Sequence, residues 1–186
     1  MSQTASPTGP DLHLLLGLFP PADEVFEHEF VPGDEVPPPY HQLLVHEHHM
    51  TVTVEAHHGD LVNVRILNRL HKGDVYARKI LLTLQGNGKV VQFGIARIHL
   101  NFCSPDVRDE IIAGKKPLGR ILIEHDVLRR IEPKAFLRVL PGPSLVKNFG
   151  LVRPVSTFGR LGIIHCNDFP AVEVLEIVIP AVTLHK

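Results

Sequence analysis

The sequence predicts an α+β domain built on an antiparallel β-sheet, and two local signals carry this prediction. Two apolar runs, 75–84 and 89–100, flank the segment Gln85-Gly86-Asn87-Gly88. Glycine and asparagine accept the positive φ angles of tight hairpin turns, so we predict two antiparallel strands here. A helix signal follows at 104–106, where Ser-Pro-Asp supplies a cap, a proline in the first turn and an early acid. Hairpin-linked strands with helices inserted between them are typical of the α+β class.

The other elements follow in chain order from the same kinds of signal. Residues 1–10 are small and polar and are expected to be disordered, and Asp11 should cap a short helix over 11–19. The proline-rich segment 20–40 predicts an extended surface connector. We therefore expect a tail, helix and connector over 1–40 and a single domain over 41–186. Its further predicted elements are a helix over 39–49 running into Met50, strands over 51–55 and 60–70, a helix ending at Gly114, a short helix starting at Pro117, and two late strands over 157–166 and 171–180.

The composition narrows the class of protein. Hydrophobic residues make up 44% of the 186 residues and charged residues 21%, which is typical of a globular domain. The formal net charge of −1 argues against a nucleic-acid partner, which needs a basic excess. No apolar run approaches the roughly 20 residues that span a bilayer, so no membrane partner is expected. With Cys103 and Cys166 outside any CxxC pair, a disulfide framework or thiolate zinc site is not predicted, and a cytoplasmic location is the expectation.

Five of the 13 histidines fall within residues 45–58 and raise the question of a metal site. His46 and His49 would share a helix face, but the HExxH pattern of zinc proteases fails because Met50 occupies the place of the second histidine. We therefore predict that these histidines are solvated residues at a helix end and a turn, and that no metal is bound. Spacing alone leaves a metal site open as an alternative.

Three charged residues lie in apolar strands and are candidates for ligand binding. Arg78 and Arg97 could each hold a carboxylate bidentately, or could lie on the wet face of a half-exposed sheet. Glu176 is the only charge in the run Val174–Ile179, which suggests a buried acid that needs a partner or a function. An acid at a sheet edge is the alternative, and Glu173 is a competing candidate.

A fourth candidate is the segment Lys115–Arg120. A helix that starts at Pro117, with Leu118 and Gly119 in its first turn, exposes backbone N–H groups that suit an anion. The same pattern is also found at ordinary helix starts.

Several of these segments occur together in the order found in the chorismate–pyruvate lyase family, which the chain resembles over about residues 41–182. The matching segments are Met50-Thr51 at a helix end, Arg78 to Leu82, Ala96-Arg97, Lys115 to Arg120, Phe158 to Arg160 and Glu176 to Pro180.

The resemblance implies an antiparallel sheet with helical flaps over a buried site, and a cofactor-free carbon–oxygen lyase that converts chorismate to 4-hydroxybenzoate and pyruvate. Arg78 would hold the ring carboxylate, helped by backbone groups of Met50 and Leu118. Glu176 would face the opposite end of the ring and handle a proton or bind the hydroxyl. Arg97 would belong to the region through which substrate enters or to a second binding region. The histidines would then be incidental.

Some segments depart from the family and leave the pathway open. Residues 139–156 do not follow the bacterial ubiquinone-pathway enzymes, which carry a tryptophan where this chain has Phe158. The alternative is a non-catalytic domain of the same fold that binds an aromatic carboxylate, as in the sensing domains of transcription regulators. No helix-turn-helix fits the Pro-rich residues 1–40. The downstream pathway, the isomer of the product and the oligomeric state are not predicted.

Overall fold

The computed structural model describes residues 9–181. The α-helices are α1 Leu12–Gly17, α2 Tyr40–Leu44, α3 Met50–His58, α4 Pro105–Ala113, α5 Leu118–Glu124 and α6 Pro143–Asn148. The strands are β1 Val25–Val31, β2 Val62–Lys72, β3 Val75–Leu84, β4 Val90–His99, β5 Arg129–Pro141, β6 Thr157–Cys166 and β7 Phe169–Val178. Single 3-10 turns span Gly33–Glu35 and Leu100–Phe102.

All seven strands form one sheet in the order β1-β5-β6-β7-β4-β3-β2, and every neighbouring pair is antiparallel. The predicted fold class is therefore confirmed. The hairpin predicted around Gly86 is β3 and β4, and the two helices predicted after Ser104 and Pro117 are α4 and α5. The two late strands predicted over 157–166 and 171–180 are β6 and β7, joined by a turn at Asn167-Asp168.

The two faces of the sheet are covered differently. On one face, α1 and α6 pack over a single apolar cluster that includes Leu15, Leu145 and Phe93. On the other face the core is divided: α2 and α3 cover one cluster, and α4 and α5 cover a second. The two clusters flank the middle of the sheet, and the cavity described below lies where they meet.

The helix α3 corrects two predictions. Residues 51–55 alternate Thr and Val, which favours a strand, but they form a helix because Met50 and Val54, one helical turn apart, are both buried against the sheet. Gly59 ends the helix with a φ of 66°. The helix predicted over 39–49 is also wrong beyond Leu44, since residues 45–49, here called the 45–49 loop, are not helical.

Other parts of the sheet were missed or only partly predicted. The 13-residue strand β5 has no clear alternation, and its Pro133 lies beside a register shift that accommodates a residue without an N–H donor. Helix α6 was also not predicted. The predicted connector over 20–40 is extended and largely exposed, but its residues 25–31 are hydrogen-bonded to β5 as the edge strand β1.

The N-terminal predictions differ in outcome. The short helix capped by Asp11 is confirmed, with the Asp11 side chain accepting a hydrogen bond from the Leu14 N–H. The disorder expected for residues 1–10 falls mostly on residues 1–8, which lie outside the described part of the chain. The division of the chain at residue 40 stays a prediction, although Leu12 and Leu15 of α1 already belong to the core of the sheet.

Candidate functional site

A cavity lies on the face of the sheet between the two core clusters, and the strand register explains why space is left there. On strand β4, which lies next to the central strand β7, the floor includes Gly94 and Ala96, which carry almost no side chain. Their neighbours on the flanking strands are large and charged: Arg78 pairs with Ala96 from β3, and Glu176 pairs with Gly94 from β7. Small residues flanked by long ones leave a depression in the sheet surface.

The cavity holds about 510 Å³ between its walls, including its open mouth. Side chains of β2, β3, β4, β6 and β7 form the floor, and the starts of α3 and α5 form the roof. The lining residues are His49, Met50, Thr51, Val64, Arg78, Ile80, Leu82, Gln92, Gly94, Ile95, Ala96, Pro117, Leu118, Gly119, Ile164, Val174, Leu175 and Glu176. This is a mostly apolar wall with a few polar groups, the usual make-up of a small-molecule site.

The structure brings together five residues that the sequence analysis named for binding: Met50, Arg78, Leu118, Gly119 and Glu176 all line this cavity. The register places the Cα atoms of the Arg78 and Glu176 positions two strands and two residues apart, which is roughly 12 Å. A single-ring molecule with a polar group at each end is of the size that such a separation accommodates.

Arg78 is a buried cation without a protein anion. Its side chain is 2% exposed, and its Nε and Nη1 atoms have no hydrogen-bond partner among residues 9–181. None of the salt bridges in this part of the chain includes Arg78. Burial lowers the pKa of the Arg78 guanidinium, while the Tyr76 hydroxyl beside it acts in the opposite direction. An arginine stays charged in proteins, so this position calls for an anion.

Glu176, by contrast, is paired within the protein. Its Oε2 accepts a hydrogen bond of 2.7 Å from Nε of Arg160, a residue on the neighbouring strand β6 whose side chain is almost completely buried. The rest of the Arg160 guanidinium donates to three backbone carbonyls of the α2–α3 connection, those of Leu44, His46 and His48, at 2.9–3.2 Å. Arg160 thus fixes Glu176 to the sheet and the 45–49 loop above it.

The roof is formed where two helices begin. His49, the residue before α3, makes no side-chain cap, so the first N–H groups of this helix are not satisfied by a capping side chain. Gly119 in the first turn of α5 allows the close approach of the two helices. A Cβ atom at Gly119 would lie 2.8 Å from Oγ1 of Thr51 and 3.1 Å from Cβ of His49. The glycine at this position is therefore required by packing.

His49 corrects the interpretation of the histidines as solvated residues. Its side chain is 6% exposed, lines the cavity, and has no partner for Nε2 within the described chain. Burial, followed by the positive charges of Arg129 and Arg160, lowers the pKa of His49 to about 4. The ring is therefore neutral at pH 7. The sequence signal that could have found it is its place directly before Met50.

His46 is also constrained. Its Nε2 lies 2.7 Å from the carbonyl oxygen of Leu43, and burial, followed by the charge of Arg160, lowers its pKa to about 4. His48 and His57 are exposed, as expected. Within residues 9–181, no three His, Cys, Asp or Glu side chains lie close enough together to hold a metal ion.

Arg97 does not lie at the cavity. It follows Ala96 on β4 and so projects from the opposite face of the sheet, where its guanidinium is bonded to the carboxylate of Glu173. The binding role that the resemblance implies for Arg97 remains a prediction without a contact to this cavity.

The sequence alone predicts no function for two polar residues of this site. Gln92 stands between two valines and a phenylalanine and gives no pattern of its own. Arg160 ends the Phe-Gly-Arg segment of the resemblance, but only the structure shows that it pairs with Glu176.

The helices of residues 9–181 are all too short or too polar to serve as membrane-spanning segments.

Several solved structures have a similar architecture. The effector domain of PhnF from Mycobacterium smegmatis matches with a TM-score of 0.51 at 12% identity, over 75% of this chain and 96% of that domain. A Bordetella bronchiseptica domain, described as the ligand-binding domain of a GntR-family transcriptional regulator, matches with a TM-score of 0.48 at 18% identity, over 67% of this chain and 87% of its own. No protein-family model and no curated protein sequence matches the chain. The chain therefore shares its fold with the PhnF effector domain, and this is the chorismate lyase-like fold.

Proposed function

We propose that this domain binds a small organic anion, an aromatic or cyclic carboxylate, in the cavity between Arg78 and Glu176. The observation that carries the proposal is the buried Arg78 guanidinium, whose Nε and Nη1 have no partner in the described chain. A buried charge is costly unless it is paired, and a planar carboxylate fits a guanidinium bidentately. Similarity in fold to a domain named as an effector domain supports a binding role in preference to catalysis.

The geometry limits the class of ligand. The apolar floor and roof suit the faces of one ring, and the roughly 12 Å between the Arg78 and Glu176 backbones leaves room for one ring and not for a polymer. The Glu176 carboxylate offers an acceptor at the end opposite Arg78. We therefore infer a monocyclic acid.

The experiment is calorimetric titration of the protein with benzoate, 4-hydroxybenzoate and the uncharged methyl benzoate. We expect the acids to bind and the ester to bind at least tenfold more weakly, because only the acids neutralise Arg78. Arg78→Met should abolish the difference between acid and ester. Arg138→Met is the matched control, since Arg138 is an exposed arginine on β5 paired with Glu29. Equal binding of acid and ester by the wild-type protein would contradict the proposal.

A lyase acting on chorismate is the second candidate, favoured by the presence of Arg78 and Glu176 at the two ends of one cavity. Incubation with chorismate, followed by measurement of pyruvate and of the aromatic product, separates the two functions. Turnover that is lost in Glu176→Gln would establish catalysis. Binding of chorismate without release of pyruvate would leave the binding domain as the function. Arg97→Met in both assays tests the role that the resemblance implies for Arg97.

A further inference from the structure

The end of the cavity opposite Arg78 contains a polar group that the proposed function does not use. Gln92 lies on β4 four residues before Ala96, the pairing partner of Arg78, and its side chain points to the same face of the sheet. The register places the Cα atoms of Gln92 and Arg78 roughly 14 Å apart, and those of Gln92 and Glu176 roughly 8 Å apart. Gln92 and Glu176 therefore share one end of the cavity.

Gln92 is as deeply buried as Arg78. Its side chain is 3% exposed, and the carbonyl oxygen Oε1 accepts no hydrogen bond from any residue between 9 and 181. A buried amide oxygen without a donor costs free energy, and such groups in proteins are normally satisfied. Its neighbours on the floor, Leu82 and Val178, are apolar and cannot donate from their side chains.

The two protein groups at this end of the cavity are therefore complementary to hydrogen-bond donors. Oε1 of Gln92 is an acceptor, and the Glu176 carboxylate is an acceptor whose Oε2 is already held by Arg160. A ligand with one hydroxyl group at this end has a single O–H to donate, so it can satisfy the Gln92 Oε1 or the Glu176 carboxylate but not both acceptors. Two neighbouring hydroxyl groups can satisfy both.

We propose that Gln92 and Glu176 form a subsite for two adjacent hydroxyl groups, so that the preferred ligand is a monocyclic acid with a vicinal diol at the end opposite its carboxylate. This inference rests on the proposed anion site at Arg78 and specifies its ligand class. Arg78 supplies the affinity for the acid, and Gln92 discriminates a dihydroxy acid from a monohydroxy acid.

The test is titration of the wild-type protein and of Gln92→Leu with benzoate, 4-hydroxybenzoate and 3,4-dihydroxybenzoate. The wild-type protein should bind the dihydroxy acid about tenfold more tightly than the monohydroxy acid, the effect of one buried hydrogen bond. Gln92→Leu keeps a side chain of similar size without the amide. It should bind both hydroxy acids with equal affinity, within about threefold of the wild-type affinity for 4-hydroxybenzoate.

The outcomes are distinguishable. Equal affinity of the wild-type protein for the two hydroxy acids overturns this inference and leaves the anion site intact. An equal loss of affinity for every acid in Gln92→Leu also overturns it, because Gln92 would then support the shape of the cavity without distinguishing one hydroxyl group from two. Failure of all three acids to bind the wild-type protein overturns the proposed function together with the subsite. The ligand series on the wild-type protein does not depend on the folding of the variant.

Discussion

Arg78 and Arg160 are two buried arginines on the same face of the same sheet, and they illustrate opposite ways of burying a charge. Arg160 is 1% exposed, and each nitrogen of its guanidinium has a partner, through one carboxylate and three backbone carbonyls. Arg78 is 2% exposed and has two nitrogens without a partner in the described chain. Burial alone therefore does not separate the two residues. They differ in the hydrogen bonds that the protein leaves unmade, and this difference is the basis of the anion site proposed at Arg78.

The largest difference should appear when Arg160 is replaced. Arg160→Met leaves the partly buried Glu176 without its partner and removes the hydrogen bonds that hold the 45–49 loop, so we expect the free energy of unfolding to fall by about 3–5 kcal/mol. Urea denaturation followed by circular dichroism measures this change. Arg138→Met, which breaks only the exposed pair with Glu29, should change the free energy by less than about 1 kcal/mol. A similar result for both variants would mean that the Arg160 network contributes little.

The next effect concerns His49, which lines the cavity. Its pKa is about 4 in the folded protein, and an unfolded histidine titrates near 6.5. Between these values the unfolded chain binds a proton that the folded protein does not, so stability falls as the pH drops from 6.5 to 4. The loss from His49 alone is up to about 3 kcal/mol.

Replacement of His49 tests this pH dependence. His49→Asn should reduce the loss of stability between pH 6.5 and pH 4, measured by urea denaturation at each pH. His46 contributes in the same direction and remains in the variant. His13→Asn, which replaces an exposed histidine on α1 that does not line the cavity, is the matched control. If the free energy of unfolding of His49→Asn depends on pH as it does in the wild-type protein, His49 is protonated as easily in the folded protein as in the unfolded chain.

A smaller effect should follow from a change in the roof above Arg78. In Gly119→Ala, the new methyl group lies 2.8 Å from Oγ1 of Thr51 and must separate the starts of α3 and α5. We expect a loss of about 1–3 kcal/mol in thermal or urea unfolding, together with weaker binding of the acids. Gly17→Ala, at the end of α1 with no atom within 4 Å of the new Cβ, should leave both properties unchanged. Unchanged stability of Gly119→Ala would show that the roof adjusts freely.

The smallest expected effect, and one of opposite sign, is that of Arg78→Met on stability. Removing a buried charge that has no anion should leave the unfolding free energy unchanged or raise it by about 1 kcal/mol in the absence of ligand. The measurement is the same urea titration used for Arg160→Met. A loss as large as that of Arg160→Met would mean that the protein itself satisfies Arg78, and would weaken the argument for a ligand.

The sequence was most informative where local signals and packing agree. The Gly-Asn-Gly turn between two apolar runs predicts β3 and β4, and the Ser-Pro-Asp cap predicts α4, because turn and cap chemistry act over a few residues. The sequence misled where packing overrides propensity. The Thr-Val alternation of 51–55 favours a strand, yet burial of Met50 and Val54 makes it helical. Pro133 and scattered charges concealed β5.

For the site, the sequence by itself determined which residues were candidates. Arg78 and Glu176 are charged residues among apolar neighbours in strands, and such a charge needs an ion-pair or hydrogen-bond partner in the protein or in a ligand. The tertiary structure alone decided how each is satisfied. Strand register places Arg78 and Glu176 on one face of the sheet, beside Ala96 and Gly94. It also pairs Glu176 with Arg160, and it places Arg97 on the other face with Glu173. His49 and Gln92 are buried by helices and strands that are distant from them in sequence. Whether their polar atoms find hydrogen-bond partners depends on those neighbours, which the sequence does not show.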